Sequence, residues 1–139
     1  MDASVKFEGK NHKVFITNTP FGSYPLIVVE RRYGNDSLAL EALSCRKFND
    51  GHYEIEDSFG IITVNLGCQS KLCQFVKNYG ENSGWAEELA KAIGGKDTGL
   101  TQQTGFVTVP FYDFSEMKIY CEDELLSDKE MGSDTQGER

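Results

Sequence analysis

Cys45, Cys68, Cys73 and Cys121, with His12 and His52, are the residues whose chemistry is most readily turned to catalysis or metal binding. A catalytic thiol needs a base held within hydrogen-bond reach, and a zinc ion needs four converging ligands. Cys68 and Cys73 make a C-x4-C pair, while the other two cysteines and both histidines stand apart along the chain. No nucleophile signature surrounds any of them, and paired zinc ligands usually lie closer. The first ten residues, MDASVKFEGK, lack the basic segment and apolar stretch of a secretory signal. The thiols are therefore expected to be buried and reduced in a cytoplasmic protein, with neither metal nor cofactor.

A second candidate is VKNYGENSGWAEELAKAIGG, Val76 to Gly95, where Gly80 and Gly84 precede a helix-like segment. A helix N-terminus offers free N–H groups to an anion. The glycine spacings of phosphate-binding loops are absent, however, and Glu81, Glu87 and Glu88 would repel a phosphate. The glycines read instead as a sharp turn, with Trp85 anchoring the helix. The carboxylates Glu54, Glu56 and Asp57 read as a solvated face. Arg31-Arg32 and Arg46-Lys47 build no basic stripe, which argues against direct binding of nucleic acid.

The net charge of −8 is unevenly spread. Residues 121–139 hold seven acids against Lys129 and Arg139, and so carry −5. The preceding 120 residues hold 15 acids and 12 bases, leaving −3. An acidic excess suits a basic protein surface, where carboxylates take the place of phosphates. No apolar run approaches the roughly 18–20 residues that cross a bilayer.

The elements that must carry these groups read mainly as strands. PLIVVERRY (Pro25 to Tyr33) has four consecutive apolar residues, as in a strand covered on both faces. KVFIT (Lys13 to Thr17) is a shorter strand, and YGNDS (Tyr33 to Ser37) is a turn. LALEALS (Leu38 to Ser44) has helix-favouring residues but alternates as a strand. Asp50-Gly51 marks a tight hairpin turn, and GIITVNL (Gly60 to Leu66) alternates cleanly. LCQFVKNY (Leu72 to Tyr79) leads into a helix predicted over Asn82 to Ile93. Asn82 or Ser83 would cap it, Trp85, Leu89 and Ile93 would form its apolar stripe, and Gly94-Gly95 would end it. TGFVTVPFYDF (Thr104 to Phe114) is a strand in which Pro110 demands an edge or a bulge, and EMKIYCE could add a last one. The expected fold is α+β: an antiparallel-rich sheet of about six or seven strands with one main helix on one face. It would form a single domain over residues 1–120, followed by an acidic tail over 121–139.

Four segments together resemble a known family: YGNDSLALEAL, TVNL, YGENSGW, and a threonine-glycine pair followed by GFV. Its pattern falls on Tyr33, Gly34, Asn35, Leu38, Ala39 and Leu40, then on Thr63 to Leu66. It continues through Glu81, Asn82 and Gly84 to Thr98, Gly99, Gly105, Phe106 and Val107. The chain resembles a domain-of-unknown-function family of small acidic proteins carried by bacterial conjugative elements, plasmids and phages. The likeness spans about residues 30–114. It departs from the pattern in the insertion near Cys45 to Asp57, in Ser83, and in the acidic tail.

The resemblance brings no activity with it. It implies a non-enzymatic accessory protein of a mobile element, and in its sharpest form an anti-defence inhibitor of the anti-CRISPR or antirestriction type. The partner would be a host nuclease or effector with a basic surface. The candidate contacts are Tyr79, Glu81, Glu87 and Glu88, with Glu122, Asp123 and Glu124 of the tail. Another reading is a binder that sequesters a signalling nucleotide, its cations drawn from Arg31, Arg32, Arg46 or Lys77. A housekeeping role on the element is a further possibility.

Overall fold

Leu26, Ile27, Val28 and Val29 are all buried because the strand that carries them lies in the middle layer of the molecule. The computed structural model describes residues 3–121. The chain opens with a hairpin of β1 (Ser4–Phe7) and β2 (Lys10–Lys13), turning at Glu8-Gly9 with both residues at positive φ. An antiparallel sheet follows in strand order: β3 (Phe15–Thr19), β4 (Gly22–Arg32), β5 (Leu38–Lys47) and β6 (Tyr53–Ile61). A second antiparallel sheet contains β7 (Thr63–Val64), β8 (Cys73–Val76), β9 (Lys96–Thr104) and β10 (Val107–Asp113), in the order β7-β8-β10-β9. Between β8 and β9 lie a 3-10 turn, Gly80–Asn82, and the helix α1, Ala86–Ala92.

Alternation along β4 divides the core in two. Leu26 and Val28 pack with Leu38, Leu40 and Ala42 of β5 against Trp85, Leu89 and Ile93, and against Tyr112 and Phe114. Ile27 and Val29 face the other way, with Leu43 and Cys45, and the β1–β2 hairpin covers them through Val5 and Phe7. Both faces of the two central strands, β4 and β5, are therefore dry along their buried stretches, which is why β5 shows so little polar alternation.

The expected α+β architecture is overturned. The fold is mostly sheet, with 55% strand and 8% helix, arranged as three small sheets with one short helix. Two local causes account for the difference. The helix has seven residues because Asn82 lies in the 3-10 turn before it, where its Nδ2 donates to the Ile61 carbonyl at 2.7 Å. The N-cap is Trp85, which makes no side-chain cap bond. Gly84, at φ 88°, and Trp85, at φ −135°, hold the chain outside the helical region until Ala86. The expected single sheet divides at Ile62, inside the run that was read as one strand. The Ile62 amide donates to Leu40 of the middle sheet, and its carbonyl accepts from Lys77 beyond β8. β6 therefore ends at Ile61, and Thr63 begins the second sheet.

Other expectations fall where the residues placed them. Gly51, at φ 93°, turns the β5–β6 hairpin, and LALEALS is a strand. The ladder shifts register between Pro110 and Tyr112, so the proline sits at a bulge of a strand paired on both sides. The last strand expected in EMKIYCE does not form among the described residues, where Tyr120 makes an isolated bridge to His12. Among the described residues, no helix is long and apolar enough to cross a membrane.

Candidate functional site

Two features stand out: a cleft on one side of the molecule and an arm that projects from it. The cleft depends on segment 114–121, which is pinned at several points. The Phe114 amide donates to Leu72 at 2.8 Å, and the Lys118 amide donates to Ile93 at the end of α1 at 2.7 Å. Ile119 accepts from Lys13 of β2, and the Cys121 amide donates to Asn11. Gly95 permits this seating, because a Cβ there would lie 2.6 Å from Phe114 Cε1 and 2.7 Å from the Ala90 carbonyl.

The cleft has a volume of about 500 Å³ and lies between this segment, β2, the ends of β4 and β5, and the loop before β8. Leu38, Phe114 and Ile119 form its packed base, and Leu72 and Met117 give it an apolar wall. Lys10, Lys71 and Lys118 stand around it, and all three are exposed. The Lys10 ammonium lies 4.8 Å from the centre of the Tyr120 ring, and Lys71 pairs with Asp36 at 3.0 Å. Glu30, the one acid lining the cleft among the described residues, is neutralised by Arg32 at 2.6 Å. The result is an apolar trough with a cationic rim.

The arm is the β9–β10 hairpin. Every residue of β9 from Lys96 to Gln103 is exposed, and its outer edge has no partner strand among the described residues. Opposite Phe111, Thr98, Gly99 and Leu100 leave the ladder. Two of their amides are satisfied locally, Gly99 by the Asp97 carboxylate and Leu100 by the Thr98 hydroxyl. At the tip, Gly105 (φ 60°) turns the chain and Phe106 projects fully into solvent. Phe106 therefore contributes nothing to the packing of this fold.

The residues singled out from sequence are partly gathered and partly spent on structure. Lys77 joins Tyr79 and Glu81: its ammonium lies 5.6 Å from the Tyr79 ring and 3.0 Å from the Glu81 carboxylate. A bond from its own backbone N–H first, and then that pairing, lower the Glu81 pKa. Glu87 is half-buried and accepts the Tyr112 hydroxyl at 2.7 Å, so it is not a free surface acid. Burial first, and then this carboxylate, push the Tyr112 phenol well up. Glu88 remains exposed beside Ile16, Asn18 and Ala92. Glu122, Asp123 and Glu124 lie outside the described residues.

The groups read as potential catalysts are engaged elsewhere. His12 is buried, with Nδ1 3.1 Å from the Val28 carbonyl and Phe7 and Tyr120 edge-on to its ring. His52 is exposed between Asp50 and Glu54, and Glu54 holds it at 2.8 Å. Burial pushes the Cys45 thiol up to about 11, too high for a thiolate nucleophile near neutrality. No disulfide joins the cysteines, and no group of three potential ligands could hold a metal among the described residues. The cations expected to serve a nucleotide are also committed. Arg31 binds Glu8 at 3.1 Å and Glu41 at 3.4 Å, Arg32 binds Glu30, Arg46 lies over Phe48, and Lys77 holds Glu81.

The three cleft lysines escaped the sequence reading because they are scattered and each is ordinary in its local context. The arm escaped it because an exposed strand carries no apolar alternation. Glycines at 99 and 105 with a phenylalanine at 106 were the available signal. Comparison with family models, curated proteins and solved structures finds no match to this chain.

Proposed function

We propose that this chain is a non-enzymatic binding protein that engages another protein through the β9–β10 arm. The observation carrying this reading is Phe106, a large aromatic fully in solvent at the tip of an ordered hairpin. Aromatics dominate the energetics of protein interfaces, and a side chain with no packing duty costs the fold nothing to replace. Beside it, Thr101 to Thr104 present an uncharged strand edge to which a partner strand could add. The acidic excess of the chain favours a basic partner.

With the resemblance noted above, the finer reading is an accessory protein of a phage or mobile element. It would act as an anti-defence inhibitor on a host nuclease or effector, in the bacterial cytoplasm. Glu88 remains available as an acidic contact near the helix, whereas Glu81 is paired with Lys77 and Glu87 serves the fold. A plaquing or plasmid-transfer assay in cells carrying an active CRISPR or restriction system tests this. Expression of the chain should raise plaquing or transfer, and Phe106→Asp should abolish the gain while leaving the melting temperature unchanged. No gain against either kind of system, or full protection by the Phe106→Asp chain, would sink the reading.

A further inference from the structure

We propose that the cleft bordered by segment 114–121 is a binding site for a small amphipathic acid, of the medium-chain acyl carboxylate type. Its volume of about 500 Å³ falls within the range of small-molecule sites. Charge indicates where the head of such a ligand would lie. Lys10, Lys71, Lys118 and Arg32 stand at or behind the rim against Glu30 and Asp36, an excess of two positive charges on an otherwise acidic protein. The Lys71–Asp36 pair is two-thirds exposed at both ends, so an incoming carboxylate can replace Asp36 at little cost. Lys10 rests on the Tyr120 ring and makes no ion pair among the described residues, and Lys118 makes none either.

The body of the ligand follows from the wall. Leu72 is more than half exposed and Met117 is half-buried, so an apolar chain laid here would cover surface that now faces water. Methionine adapts to a flexible chain better than a rigid side chain would. No aromatic face is free to stack a nucleobase: Lys10 covers Tyr120, and Phe114 is buried against Tyr112. A nucleotide would bring phosphate to the lysines but leave its base without a platform. An aliphatic acid uses both halves of the trough.

The experiment is calorimetric titration of the full chain with sodium decanoate below its micellar concentration, alongside decyltrimethylammonium and a cyclic dinucleotide. The proposal expects saturable one-to-one binding of decanoate and none of the cationic amphiphile. Lys71→Glu with Lys118→Glu should weaken decanoate about tenfold, consistent with two partly exposed charges. Met117→Glu should weaken it as well, and the two lysine changes, both at exposed positions, should leave the melting temperature in place. Equal binding of both amphiphiles would mean that only the apolar wall is read, and would overturn the site. Binding of the cyclic dinucleotide with displacement of decanoate would transfer the cleft to nucleotides. Cys121 lines this cleft and an acidic segment follows it in sequence. If decanoate binds only when Glu122→Gln, Asp123→Asn and Glu124→Gln are combined, the chain's own acids are the occupant and the proposal falls.

Discussion

Gly95 and Asn82 show how much of this fold rests on single positions. Gly95→Ala would drive a Cβ into Phe114 and the Ala90 carbonyl, and the backbone on one side cannot yield. The expected loss is about 1–3 kcal/mol, read from the urea midpoint. Asn82→Ala would remove the Asn82 donor from the Ile61 carbonyl, a part-buried bond, at a loss of about 0.5–1.5 kcal/mol. Trp85 is buried against Phe59, and its indole N–H donates to the Glu81 carbonyl at 2.8 Å. Trp85→Ala should cost about 3–5 kcal/mol and leave little folded protein at 37 °C. Cysteine chemistry follows the same local logic. In the native chain at pH 8, a thiol reagent should spare Cys45 and react with all four cysteines only in denaturant.

At the scale of elements, the β1–β2 hairpin is held over the middle sheet partly by His12. Burial lowers the His12 pKa, against the opposing pull of the Val28 and Phe7 carbonyls and of Glu8, while Lys10 adds to the lowering. The folded state therefore favours the neutral ring, and the unfolded chain takes up the proton first, near pH 6.5. Stability from this group is present above pH 6.5 and is lost as pH falls through the lowered folded value. His52 works in the opposite sense. Glu54 and Asp50 raise its pKa, so its contribution is present below pH 6.5 and lost as pH rises through the raised value. In a His52→Gln background, lowering the pH from about 7.5 to 5.5 should shift the urea midpoint downward, and His12→Phe should remove that shift. The arm offers a contrasting element. Phe106→Asp should alter stability by less than about 0.5 kcal/mol, because the ring touches nothing it could lose.

For the whole molecule, the three small sheets enclose two cores, and the two faces of β4 assign each outer sheet its side. A charge of −8 with a pI near 4.7 sets how the chain meets a partner at a distance. Capture of a basic partner should accelerate at low ionic strength and slow as salt shortens the screening length from about 10 Å at 0.1 M to about 3 Å at 1 M. Association kinetics at several salt concentrations would read this directly, and a salt-independent rate would assign recognition to the uncharged tip of the arm alone.

What could be read without tertiary structure was whatever depends on neighbours in sequence. Four apolar residues in a row at Leu26 to Val29 require cover on both faces, and Asp50-Gly51 turns wherever it stands. Gly94-Gly95 ends a helix by its own backbone freedom. The sites were a different matter. Lys10, Lys71 and Lys118 meet only because segment 114–121 lies across the end of α1 and beside β2. Ile62 divides a continuous alternating run between two sheets because Leu40 and Lys77, far away in sequence, take its backbone groups. Asn82 could stand at a helix N-terminus or in a turn before it, and its Nδ2 bond to Ile61 of β6 goes with the turn. Local chemistry sets which conformations a segment can adopt; the long-range hydrogen bonds and packing select among them, and both candidate sites were made by that selection.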